Sequence, residues 1–170
     1  MGSSIIRLER DGDVRYMEWS SITDSPRTYL MVIEAFRAYY NAEYGAAGTR
    51  GLPARLERAD RFGTSHMYDR TLDDAIGFNR AGPFETQLTP DEIWDLYRIE
   101  RPRRTDPPSP EERELIKRAW AVAGSLSSHW SDGVPTARNL AQRLGVSVQY
   151  LFDLKRADFA HSQNGDDEDE

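Results

Sequence analysis

Three prolines fall within the eight residues Arg101-Pro102-Arg103-Arg104-Thr105-Asp106-Pro107-Pro108, and no other feature limits the architecture of the chain as sharply. Proline lacks an amide hydrogen and has a fixed φ, so no regular helix or central strand is expected across this stretch. It favours an extended, polyproline-like spacer. The 170 residues therefore divide into an N-terminal domain over 1–100, a Pro/Arg-rich linker over 101–110 and a C-terminal module over 111–161. Residues 162–170 end in Asp166-Asp167-Glu168-Asp169-Glu170 and are expected to form a disordered acidic tail.

The N-terminal domain opens with two strand-like runs, Ile5-Ile6-Arg7-Leu8-Glu9-Arg10 and Asp13-Val14-Arg15-Tyr16-Met17-Glu18-Trp19, joined by Asp11-Gly12. Asp-Gly between such runs predicts a hairpin, because a tight primed turn needs positive φ at both central residues. Ile6, Leu8, Val14, Tyr16 and Trp19 are expected on its buried side, and 27–31 is a candidate third strand. Helices are expected over 32–44, ended by Gly45 and Gly48, and over 53–62, stopped by Gly63. A short one is expected over 72–78, before a turn at Asn79-Arg80-Ala81-Gly82-Pro83. Thr89-Pro90-Asp91-Glu92 predicts another, because Thr89 can cap, Pro90 suits the first position and Glu92 can return a bond to the cap. Ser109-Pro110-Glu111-Glu112 repeats that logic and opens a long helix to about residue 128. The fold class is α+β: a hairpin with several short helices, then a small all-α module.

The most informative stretch runs from Pro135 to Arg156. Leu140, Leu144, Val146, Leu151 and Leu154 supply a shared apolar core for two short helices, with Ala141 small at their crossing. Gly145 suits a left-handed residue at the end of the first helix, and Ser147 suits the N-cap of the second. Leu140-Ala141, Leu144-Gly145-Val146-Ser147, Tyr150-Leu151 and Asp153-Leu154 resemble the lambda-repressor/Cro-like helix-turn-helix family over about 22 residues. The further helices usual in that family do not follow, so a minimal trihelical unit is expected, with the 110–128 helix as its first member. The resemblance implies that Ser147, Val148, Gln149 and Asp153 face bases, with Gln149 suited to adenine. It also implies that Arg138, Arg143, Lys155 and Arg156 face phosphates. Phe152 is expected to be exposed beside Asp153. In the N-terminal region, Arg15-Tyr16-Met17-Glu18-Trp19-Ser20 and Asn79-Arg80-Ala81-Gly82-Pro83 resemble proteins of actinobacteria and their phages. Arginine outnumbers lysine heavily, the only lysines being Lys117 and Lys155, as suits a GC-rich genome.

Charge weighs on both sides. The net charge of −7 argues against a protein that simply coats nucleic acid. Its distribution is uneven: 101–161 carries ten bases and seven acids, whereas the tail carries five acids and no base. The absence of cysteine excludes disulfides and thiolate metal sites. No apolar run approaches bilayer length and the first residues lack a signal-peptide core, so a cytoplasmic protein is expected, in a bacterial host cell if phage-encoded. His66, Asp69, Asp73 and Asp74 form the one His/carboxylate group, better read as solvated polar residues than as metal ligands. His129 suits a helix end. No phosphate loop, nucleophile elbow or dinucleotide fingerprint is present, so neither catalytic residues nor a cofactor is expected. The function expected is that of a DNA-binding regulatory or accessory protein acting on double-stranded DNA. The alternative is an assembly factor or inhibitor whose helical module docks on a protein partner.

Overall fold

The computed structural model describes residues 2–67, 70–100, 106–126 and 136–163, and it is of mixed α+β class. Strands β1 (Ser3–Arg10) and β2 (Asp13–Ser20) pair antiparallel in the register Ile6 with Met17 and Arg10 with Asp13. The two-residue loop is the primed turn that Asp-Gly predicts, with φ 53° at Asp11 and 80° at Gly12. A short β3 (Ser25–Pro26) pairs with the end of β2, giving the order β1-β2-β3. The expected strand over 27–31 contributes a single bridge, Met31 to Tyr16. On its other edge β1 is partly covered, because Ile6 bridges Thr64 and the Arg7 amide donates to Gly63 O at 2.9 Å.

The expectation of one buried sheet face does not hold. The register puts Ile5, Val14, Tyr16 and Glu18 on one face and Ile6, Leu8, Met17 and Trp19 on the other, and both faces are buried. Consecutive apolar residues such as Ile5-Ile6 therefore serve two cores, which is why their alternation is imperfect. The first face packs against α1 (Ile33–Thr49) and α2 (Leu52–Phe62) through Phe36, Tyr40, Leu52, Leu56 and Ala59. Gly45 breaks the helical geometry of α1 one residue after Tyr44, at φ 62°. Helix α3 (Leu72–Ile76) stops short of the expected 78, and Phe78 is exposed. Helix α4 (Pro90–Tyr97) starts at the expected capping box, with Glu92 N–H to Thr89 Oγ1 at 3.2 Å and Thr89 N–H to Glu92 Oε2 at 2.8 Å.

Compact units divide the chain differently from a single boundary at residue 100. Met1–Asn79 and Thr89–Glu100 form one unit, and Arg80–Leu88 joins the C-terminal residues in the second. The second unit holds α5 (Pro110–Leu126), α6 (Ala137–Leu144), α7 (Val148–Gln163) and a one-turn 3-10 helix, Pro83–Glu85. Its core is Phe84, Ile116, Leu140, Ala141, Leu151 and Leu154. The expected capping box opens α5, the Glu112 amide donating to Ser109 Oγ at 3.2 Å and the Ser109 amide to Glu112 Oε2 at 2.9 Å. Residues 162 and 163, assigned to the tail by composition, continue α7. Linker residues 101–105, the helix end at 127–128, His129, Asp69 and tail residues 164–170 lie outside the described residues.

Candidate functional site

Helix α6 begins at Thr136, whose Oγ1 accepts the Asn139 amide at 3.2 Å. It ends at Gly145, which takes the left-handed conformation at φ 67°, ψ 33°. The Val146 amide returns to Ala141 O at 3.0 Å and the Gly145 amide to Gln142 O at 3.3 Å. This bond pair is the Schellman closure, which satisfies carbonyls that the helix end leaves open. Ser147 then caps α7, its Oγ accepting the Tyr150 amide at 3.1 Å. Gly145-Val146-Ser147 is thus a three-residue turn with both of its hydrogen-bonding duties met. Leu140, Leu151 and Leu154 are buried in the core as expected, and Leu144 and Val146 pack at its margin.

The residues proposed from sequence separate into distinct environments. Ser147, Gln149 and Asp153 are exposed, and Gln149 Nε2 donates to Asp153 Oδ1 at 3.1 Å, one turn further along α7. Val148 is half-buried and packs against the core cluster that holds Leu151 and Leu154. Arg138 and Arg143 are exposed on α6, Arg143 in its last turn. Phe152 is buried, at 8% exposure, which corrects its expected place on the reading face. The side chain of Arg156 lies outside the described residues.

Lys155 is part-buried, and its Nζ donates to Gly82 O at 2.5 Å. Burial pushes the ammonium down to about 8, with the Glu85 carboxylate acting in the opposite direction. The Gly82 segment is a tight turn. The Gly82 amide donates to Thr86 O at 2.8 Å, and the Thr86 amide and Oγ1 both return to Pro83 O, at 3.1 and 2.6 Å. Phe84 and Glu85 stand at φ 54° and 59°, a conformation that costs non-glycine residues about 1–2 kcal/mol each. Burying the Phe84 ring returns roughly 1.5–3 kcal/mol, so the two effects are of similar size. The segment is further held by Gln87 O, which accepts the Ala137 amide at the start of α6 at 3.3 Å. Local sequence pattern identified the turn at 79–83 and missed this role, because one aromatic residue carries no periodicity.

A second polar group lies in the N-terminal unit. The fully buried carboxylate of Glu18 accepts hydrogen bonds from Tyr39 Oη, at 2.6 Å, and Tyr44 Oη, with Arg27 Nη1 at 3.7 Å. Burial first, and then the bond to Glu18, pushes the Tyr44 phenol up to about 12 and the Tyr39 phenol higher still. Both phenols therefore remain protonated donors at neutral pH. A sealed carboxylate with its donors in place fixes α1 to the sheet and offers no open coordination or attack position. The His66 ring Nδ1 lies 2.5 Å from Met67 O, and Asp74 closes the capping box of Thr71. Among the described residues no group of three metal-ligating side chains occurs, and no helix is long and apolar enough to cross a membrane.

No protein-family model, curated protein or solved structure matches the chain.

Proposed function

We propose that the chain is a DNA-binding regulatory or accessory protein, with α5, α6 and α7 as a trihelical helix-turn-helix and α7 as its reading helix. The observation that carries this reading is the turn Gly145-Val146-Ser147, which closes α6 and caps α7 while leaving Gln149 exposed in the first turn of α7. In this arrangement a helix can enter the major groove N-terminus first, with flanking basic side chains on the DNA phosphates. Gln149 is the base reader, its amide offering one acceptor and one donor to the adenine edge. Arg138, Arg143 and Arg156 are the phosphate contacts.

The test is a titration of the full chain against duplexes selected from a random pool, across a salt series. Phosphate contacts make log affinity fall linearly with log salt, by about 0.9 for each phosphate neutralised. Gln149→Ala is expected to weaken the selected duplex by about 1–3 kcal/mol and to leave scrambled duplex unaffected. Failure of the wild-type chain to bind any duplex with salt sensitivity removes the reading. The Asp153 carboxylate on the same exposed face, and the net charge of −7, favour the alternative of a protein partner docked on α6 and α7.

A further inference from the structure

We infer that Arg80–Leu88 is a working part of the DNA-reading unit and that Lys155 is the residue that fastens it, positioning α7 through the Gly82 carbonyl instead of neutralising a phosphate. The functional half of this statement rests on the DNA-binding reading; the fastening itself does not.

Three observations converge on the same few residues. Lys155 Nζ is bonded to Gly82 O across 73 positions of sequence, from a part-buried site. A lysine that reaches a phosphate must bring its ammonium to the surface, whereas this one is part-buried and spends a hydrogen bond on a backbone carbonyl. The Gly82 carbonyl belongs to a turn in which Phe84 and Glu85 hold left-handed backbone, an arrangement that persists only when its surroundings over-determine it. Phe84 in turn sits in one core with Leu140 of α6 and Leu151 and Leu154 of α7. The charged group acting on the ammonium is Glu85, whose carboxylate lies 3.5 Å from Arg80 Nη1. The hydrogen bond of the ammonium goes to the Gly82 carbonyl and not to the Glu85 carboxylate.

Gly82 leaves no slack in this arrangement. A β-carbon there would stand 2.3 Å from Thr86 Oγ1 and 2.8 Å from Thr86 O, so the turn closes tightly enough to hold its carbonyl in place. Through Lys155 and Phe84 the turn bears on α7 at two points, one polar and one apolar. The tilt and depth of a reading helix decide which side chains reach base edges, so a residue that holds the helix affects affinity without touching DNA.

The experiment uses the full chain as wild type and Lys155→Met, which keeps the apolar stem and removes the ammonium. Arg143→Gln serves as a phosphate-contact control. Hydrogen exchange is followed over 80–88 and 148–155, and DNA affinity is followed across the salt series. Lys155→Met is expected to lose protection in both segments together, by about tenfold or more. Its DNA affinity should fall by the same factor at every salt concentration with the salt slope unchanged, whereas Arg143→Gln should lower the slope by about one. A slope lowered by one in Lys155→Met overturns the inference, as does unchanged protection. If the wild type binds no DNA, the DNA reading fails and the exchange result alone decides the fastening. Should Lys155→Met fail to fold, the wild type answers directly, because lysine-selective labelling gives only two signals, Lys117 and Lys155. Lys155 should titrate near 8 and be unmoved by added DNA. A Lys155 signal that behaves like that of exposed Lys117, or that shifts on DNA binding, overturns the inference.

Discussion

Two glycines in the C-terminal unit are required for different reasons. Gly145 takes the left-handed conformation at φ 67°, yet a β-carbon added there would meet nothing within 4 Å. The cost of replacing it is therefore one of backbone conformation alone. Gly145→Ala is expected to destabilise the unit by about 1–2 kcal/mol, and Gly145→Asn by less, because asparagine tolerates this region. Gly145→Val should cost more than alanine, since a β-branched residue is a poor occupant of positive φ. Gly82 has an ordinary φ of −81° but no space, so even Gly82→Ala drives atoms together. Denaturant unfolding of the four variants checks this. An asparagine no better than valine at 145 would show that space, and not φ, governs that position.

The hairpin, the capping boxes at Thr89 and Ser109 and the Gly145 turn were all legible in the sequence, because each is written in residues two to four positions apart. Long-range packing was not legible. Glu18 lies in a strand-like run whose local pattern does not mark it as buried, and only the return of α1 brings Tyr39 and Tyr44 to its carboxylate. The alternation of β1 and β2 does not mark one buried side for a related reason, since a strand buried on both faces has no polar side to fix its register. Among the residues proposed for the site, the partner of Lys155 could not be read from its neighbours in sequence. A lysine two residues after Asp153 looks like a phosphate contact until Gly82, far back in the chain, claims its ammonium. The Glu18 network gives this scale its own prediction. Glu18→Ala leaves two part-buried phenols without their acceptor and should destabilise the N-terminal unit by about 2–4 kcal/mol. Tyr44→Phe removes one bond and keeps the carboxylate's other donors, so about 1 kcal/mol is expected. Equal losses in the two variants would mean that Glu18 contributes no more than a single bond.

For the whole molecule, the decisive fact is that the chain enters the second unit twice. It leaves the first unit after Asn79, supplies Arg80–Leu88 to the second, returns for α4 at Thr89–Glu100 and then crosses again. Arg103 and Arg104, within the proline-rich sequence 101–108, make that last crossing the expected site of limited tryptic cleavage. A linker joining two independent domains would release two separately folded fragments. Here the N-terminal fragment carries Gly82 and Phe84, and the C-terminal fragment carries Lys155, Leu140, Leu151 and Leu154. The cleaved protein is therefore expected to show two bands under denaturing conditions and to elute as one species in native buffer. A recombinant 101–170 fragment, lacking Phe84, should lose helicity or unfold at lower denaturant than the same helices in the full chain. Removing a buried Phe costs about 3–5 kcal/mol, a large share of what a module this small can hold. Phe84→Ala in the intact chain should reproduce most of that loss. If the fragments instead separate freely in native buffer and 101–170 remains as stable as in the full chain, then Arg80–Leu88 is not part of the second unit's core.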